Sequence, residues 1–237
     1  MGRARERRRW AAVGGAAGAA AAVAMGRRAG RAPRSRGRPL FARCYGALAR
    51  RAERGQLGVR RQALVSSAGG RVLDLGAGPG GSFGHFGHGV TAVVAVDPDP
   101  AMVGQARSRL AGAAAPVRLV LGAGERLPFA DRSFDSVVVA LVLCTVEDPE
   151  AVAAELHRVL RPGGRLLFME HVRAQDEELA AWQDRVQRPW SWCNGGCRPN
   201  RATLDTIRQA GFRLGPLEWY GFPVLPHVQG EARRGEG

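Results

Sequence analysis

Asp74-Leu-Gly76-Ala77-Gly78-Pro-Gly80-Gly81 puts one carboxylate and four glycines at the end of a short apolar run. Glycines so spaced let the chain turn sharply and let a ligand come close to the backbone. A helix following such a turn would aim its N-terminal N–H groups at that ligand. Asp97 closes the next apolar run, 21 residues beyond Gly76. A carboxylate there can accept hydrogen bonds from both hydroxyls of a ribose. The plainer role for Asp97 is to cap a helix opening after Pro98.

Two ligand patterns fit the same letters. Gly76, Gly78 and Gly81 make G-x-G-x-x-G, the dinucleotide spacing. Asp74, Gly76, Gly78 and Gly80 make acidic-x-G-x-G-x-G, the spacing of S-adenosylmethionine binders. A purely structural glycine turn is the third reading.

Glu170 and His171 end a later apolar run, at the edge where open parallel sheets bind ligands. His171 can take a proton near neutral pH, so both residues are candidate catalytic groups. The competing role is a strand-end histidine bonded to backbone. Downstream, Trp182, Trp190 and Trp192 stand close to Cys193 and Cys197. The tryptophans suggest a lid or an apolar wall for an acceptor, or a seal closing a long loop onto the core. Cys193 and Cys197 have three residues between them and no second pair nearby, so no metal site is expected.

These residues need elements to position them. Short apolar runs at Arg71–Leu75, Thr91–Val96, Val117–Leu121, Ser133–Ala140 and Arg165–Met169 read as buried strands. Helical stretches lie between them. Ala101–Leu110 follows Pro100, and Pro149–Leu160 follows Asp148 as N-cap. Leu40–Ser66 and Arg201–Ala210 also read as helical, with weaker strands at Phe212–Tyr220 and Val228–Ala232. Strands alternating with helices predict a parallel sheet covered on both faces. Residues 67–237 read as one domain, and 39–66 as a helical lid, linker or plain packing helix.

Charge divides the chain differently. Seventeen of the 35 basic residues fall in residues 1–61, against only Glu6 and Glu53, whereas the remainder is close to neutral. Every basic residue is arginine. No basic face interleaved with aromatics runs through the body, which argues against nucleic acid as a partner. Residues 1–38 admit three readings: a leader, a targeting segment, or a weak anchor whose arginines meet acidic lipid headgroups. No apolar run reaches the eighteen residues of a membrane span. Four scattered cysteines fit a reducing, cytoplasmic setting better than a disulfide scaffold.

Downstream motifs separate the ligand patterns. Gly122-Ala-Gly-Glu-Arg-Leu-Pro-Phe129, Asp131-Arg-Ser-Phe-Asp135 and Glu155-Leu-His-Arg-Val-Leu-Arg-Pro-Gly-Gly164 follow the glycine turn in order. Over residues 67–171 the series resembles the class I S-adenosylmethionine-dependent methyltransferases, in particular the ubiquinone/menaquinone-methylase-like group. A chain without lysine also lacks the Tyr-x-x-x-Lys pair of many nicotinamide dehydrogenases. Val142-Leu-Cys-Thr-Val146, Met169-Glu-His-Val172, Trp182-Gln183, Pro189-Trp190, Gly196-Cys197 and Pro226-His-Val228 are similar to the methyltransferase-like 7 family. Animal members of that family are membrane-associated thiol S-methyltransferases.

The resemblance implies an α/β, Rossmann-like domain with a mostly parallel seven-stranded sheet and helices on both faces. It implies S-adenosyl-L-methionine as cofactor, held by Asp74, Gly76, Ala77, Gly78 and Gly80 at the turn. Asp97 and Pro98, then Gly124, Glu125 and Leu141, would complete that site. Many such enzymes carry an aspartate for the adenine amino group where this chain has Ala123, so Glu125 or nearby carbonyls would serve. The implied acceptor is a small, fairly apolar molecule, a thiol by the closer resemblance. Carbon or oxygen methylation of a quinone-like ring is the alternative, and a non-catalytic nucleotide-binding adaptor the third.

Overall fold

The computed structural model describes residues 55–236. The readings of residues 1–38, and of the helical stretch before residue 55, lie outside the described residues. The elements in chain order are α1 (Gln56–Ser66), β1 (Gly70–Leu75), β2 (Val90–Asp97), α2 (Pro100–Arg107), β3 (Val117–Leu121), β4 (Phe134–Ala140) and α3 (Pro149–Val159). They continue with β5 (Leu160–His171), α4 (Glu177–Cys193), α5 (Thr203–Gln209), β6 (Phe212–Phe222) and β7 (Leu225–Arg234).

The sheet runs in the order β3-β2-β1-β4-β5-β7-β6. The pairings from β3 through β5 are parallel. β7 pairs antiparallel with both β5 and β6. The expected seven-stranded, mostly parallel sheet is therefore present. Its strand order reverses between β1 and β4, which opens a crevice at their carboxyl ends.

Alternation along the central strands fills both faces. Val137, Val139, Leu166 and Phe168 pack with Val152, Leu156 and Val159 of α3 and Ile207 of α5. Val138, Leu167 and Met169 turn to the other face, toward Leu64 and Val65 of α1 and Ala106 of α2. Phe168 is fully buried, so Phe168→Ala would cost about 3–5 kcal/mol. α1 thus packs on the sheet; its Arg60 lies 3.9 Å above the Tyr220 ring and pairs with Glu218.

Three local expectations change. No α-helix follows the glycine turn. A single 3-10 turn, Phe83–His85, stands there, because β2 begins at Val90 and leaves too little chain for a helix. β5 starts at Leu160 and runs twelve residues, with a register shift opposite Phe134/Ser136. The tryptophan segment is not a loop but the 17-residue helix α4. Asp176 caps it by accepting from Leu179 N–H, with Glu177 and Glu178 in its first turn. No helix among the described residues is long and apolar enough to cross a membrane.

Candidate active site at the carboxyl edge of the sheet

The glycine turn is fastened to the end of β2. Gly76 and Ala77 both donate to Val96 O, at 2.8 and 3.1 Å. Gly78 N–H donates to Asp97 Oδ2 at 2.9 Å, and Asp99 N–H to Oδ1 at 2.9 Å. The three glycines then differ in what they do. Gly76, Gly78 and Gly80 all take the left-handed conformation. A Cβ on Gly76 would meet Val142 Cγ2 at 2.4 Å, and one on Gly80 would meet the Phe83 ring at 2.7 Å. A Cβ on Gly78 would meet nothing nearer than Gly76 O at 3.9 Å. Gly78 alone faces open space at the turn, where a ligand can approach.

Asp97 is buried with two donors already in place. Burial pushes its pKa up, and the Asp99 and Gly78 hydrogen bonds oppose the rise. Each carboxylate oxygen has a second acceptor position, so a ribose diol can still be bound. The helix-capping duty falls on Asp99 instead, whose Oδ1 accepts from Ala101 N–H at 2.8 Å. Pro98 is exposed beside it. Asp74 is fully buried at the base of the turn, and its Oδ2 has no hydrogen-bond partner. Desolvation pushes its pKa to about 7. An orphaned buried oxygen beside an open glycine fits a cationic ligand, and S-adenosylmethionine carries both an ammonium and a sulfonium.

Next to Asp97, an open groove of about 560 Å³ is lined by Leu121, Gly122, Arg126, Leu127, Pro128 and Phe129. Glu125 is half-buried in the same segment. Gly124 has a different reason to be glycine. Its Cβ would press on Leu75 Cδ2 at 3.1 Å and Val152 Cγ2 at 3.2 Å, so it serves core packing. Leu141 follows β4 in the left-handed region, φ 63°. A leucine held there is strained, and such strain clusters at functional sites. Its N–H donates to Met169 O at 2.8 Å, which fixes the bend.

Glu170, a candidate catalytic group, lies against backbone N–H groups. Its carboxylate is fully buried and accepts from Val142 and Leu143 N–H on Oε1 and from Cys144 N–H on Oε2. Burial raises its pKa while these three bonds hold it back. It pins the 142–144 segment and is a positioning residue. From the other side, Arg201 donates to Leu143 O and, at 2.6 Å, to Val146 O.

His171 is half-buried at the end of β5, with its ring 4.2 Å from His227. Tyr220 stacks on His227 at 5.0 Å. Burial, with His171 adding, lowers the His227 pKa to about 4 and keeps that imidazole neutral at pH 7. His171 Nδ1 lies 3.5 Å from Cys144 Sγ and 3.4 Å from Cys197 Sγ, and the two sulfurs are 3.7 Å apart. Hydrogen bonding with Cys144, outweighing the effect of burial and helped by His171 and Trp190, holds the Cys197 thiol well below its usual range. That same bond and complete burial push Cys144 up.

The sequence paired Cys197 with Cys193; the fold pairs it with Cys144, and Cys193 is exposed. Cys144, His227, Tyr220 and Arg60 were not singled out for chemistry. The signal for Cys144 lies in register: Ala140 pairs with Met169, so the segments that follow emerge at one edge. Trp190 is half-buried near Cys197, whereas Trp182 and Trp192, on the same helix, are about two-fifths exposed.

The chain is similar to several known proteins. The family described as a methyltransferase domain matches residues 73–168. The thiol S-methyltransferase TMT1B of Rattus norvegicus is 36% identical over 170 residues, covering 68% of this chain and 69% of that protein. A demethylmenaquinone methyltransferase of Thermobifida fusca is 36% identical over 138 residues, covering 55% and 58%. Among solved structures, the YcgJ protein of Bacillus subtilis superposes with a TM-score of 0.62 at 20% identity, over 76% of this chain and 98% of that one. An S-adenosylmethionine-dependent methyltransferase of Mesorhizobium loti gives 0.58 at 21% identity, over 77% and 100%.

Proposed function

This chain belongs to the class I S-adenosylmethionine-dependent methyltransferases, in the family of the TMT1 thiol S-methyltransferases and their UbiE-like relatives, and from that premise we propose that its acceptor is a small, apolar thiol. The observation that carries the reading is the adjacency of two half-sites across β1, β4 and β5. One is the turn fastened to Asp97, with Gly78 open and the Asp74 oxygen unpartnered. The other is the imidazole and sulfur cluster at the end of β5.

When bound, S-adenosylmethionine supplies a methyl group on a sulfonium, with a neutral thioether as leaving group. The chain's own work is to orient and to handle one proton. Asp97 takes the ribose hydroxyls, and Gly78 lets the ligand lie against the backbone. Asp74 offers a buried oxygen to positive charge. Leu141, bent by its strained conformation, sits between the half-sites. The acceptor must present a thiolate, so its proton has to go to the protein or to water. His171, beside the two sulfurs at the end of β5, is the imidazole placed to take it. Orienting the reactants within this edge is worth several kcal/mol by itself.

A quinol acceptor is the second reading, supported by the similarity to demethylmenaquinone methyltransferases. Paired turnover assays separate the two. An alkanethiol and a demethylated quinol are each incubated with the cofactor, and S-adenosylhomocysteine is measured. A higher kcat/KM for the thiol is expected; turnover of the quinol alone would move the acceptor to the second class.

A further inference from the structure

We propose that Cys144, His171 and Cys197 form a Cys2His site for one zinc-class divalent ion. Their three donor atoms all lie within 4.8 Å of one another. The edges of the triangle are 3.7 Å from sulfur to sulfur, and 3.5 and 3.4 Å from sulfur to Nδ1. A tetrahedral zinc ion with Zn–S near 2.3 Å and Zn–N near 2.0–2.1 Å has a sulfur–sulfur edge of about 3.8 Å and sulfur–nitrogen edges of about 3.6 Å. The triangle therefore already has the dimensions of one tetrahedral face.

Three separate segments are each pinned to produce it. Cys144 is held through its N–H by Glu170, and its carbonyl accepts from Arg198 N–H at 2.6 Å. Cys197 is brought back by Gly195 and Gly196, both left-handed, a turn few other residues would tolerate. Thr203 Oγ1 donates to the carbonyl of His171 at 3.4 Å. Thr145 Oγ1, 3.6 Å from Cys144 Sγ, can support that sulfur in the way outer hydroxyls support metal thiolates. Both cysteines are buried, so thiolates formed on binding such an ion would have their charge balanced by it and not by bulk water.

Two sulfurs and an imidazole select zinc-like ions over magnesium or calcium. Three protein ligands leave the fourth corner for water or an exogenous sulfur donor, as in sites that bind a reactant. The metal site does not rest on the thiol reading: an ion on His171 would take that imidazole out of proton transfer and leave the acceptor's proton to water, and the site stands or falls on metal content.

The test uses the untagged full chain, reduced, stripped with a chelator under anaerobic conditions, and titrated with cobalt(II) and then zinc(II). The expected result is one equivalent of cobalt giving a thiolate-to-cobalt charge-transfer band and strong tetrahedral visible bands, both erased by zinc. Cys197→Ser and His171→Ala should weaken binding at least tenfold, and Cys193→Ser should leave it unchanged. X-ray absorption of the zinc-loaded wild type needs no variant, and two sulfurs with at least one nitrogen are expected. Absence of the charge-transfer band in the folded wild type, loss of it in Cys193→Ser, or a zinc shell without two sulfurs would overturn the proposal.

Discussion

The Asp97 carboxylate accepts a 2.9 Å hydrogen bond from the backbone N–H of Gly78. The residue that would bind ribose therefore also holds the open glycine of the turn in place. Removing the carboxylate should damage both functions. Asp97→Ala is expected to weaken S-adenosylhomocysteine by tenfold to a few hundredfold, the value of a hydrogen bond to a charged group being about 1.5–3 kcal/mol. Gly78→Val should abolish binding, since its side chain would fill the open face at φ 53°. Titration calorimetry on both folded variants checks this; wild-type affinity in both would place the cofactor elsewhere.

Asp74 predicts a pH dependence of stability. Burial raises its carboxyl from the ordinary 3.8 to about 7. Between those values the folded state holds a proton that the unfolded state has released. Its contribution therefore falls as pH rises through this window and levels off above it. Asp74→Asn removes the effect. Its stability relative to wild type should be about 2–3 kcal/mol greater at pH 8 than at pH 5. Denaturant unfolding at the two pH values measures it, and an equal difference at both would contradict the burial argument.

Glu170 should behave as a strut. Glu170→Gln replaces one acceptor oxygen with an amide donor facing backbone N–H groups. A loss of about 1–3 kcal/mol in stability is expected, with the limbs of the pH–rate profile unmoved. Loss of one limb at unchanged stability would restore Glu170 to a proton-transfer role.

Along α4, Trp190 and Trp182 should separate. Trp190→Ala should raise the acceptor KM severalfold and leave S-adenosylhomocysteine affinity unchanged, because Trp190 neighbours Cys197. Trp182→Ala, on an exposed residue, should change neither. Steady-state kinetics with both variants reads the difference, and matched effects would mean the helix only closes the fold.

The turn expected to hold the cofactor could be placed from the sequence because its signals are local. A strand, a glycine turn and a strand-end Asp97 fall within about two dozen residues, and the strand periodicity fixes which edge they share. The helix that could follow the glycine turn is absent, and a 3-10 turn, Phe83–His85, stands there. Pro189 and three tryptophans disguised α4 as a loop, although Asp176 with Glu177 and Glu178 already carried a helix start. The sulfur–imidazole cluster was not legible. Cys144 meets Cys197 across 53 residues of chain, and only the register of β4 on β5 and the turn at Gly195–Gly196 bring them together. The backbone contacts of Glu170 were hidden for the same reason: its three partners belong to another strand's loop.

Methyl transfer from S-adenosylmethionine to a thiol can be followed atom by atom. The most direct measurement supplies the full chain with a trideuteromethyl-labelled cofactor and an alkanethiol, and follows the products by mass spectrometry. Transfer to a thiol gives a thioether carrying the intact trideuteromethyl group on sulfur, formed one for one with S-adenosylhomocysteine and reduced in Asp97→Ala at limiting cofactor. A wild type that binds the cofactor yet leaves thiols unlabelled, while placing the label on carbon or oxygen of a quinol, would contradict it.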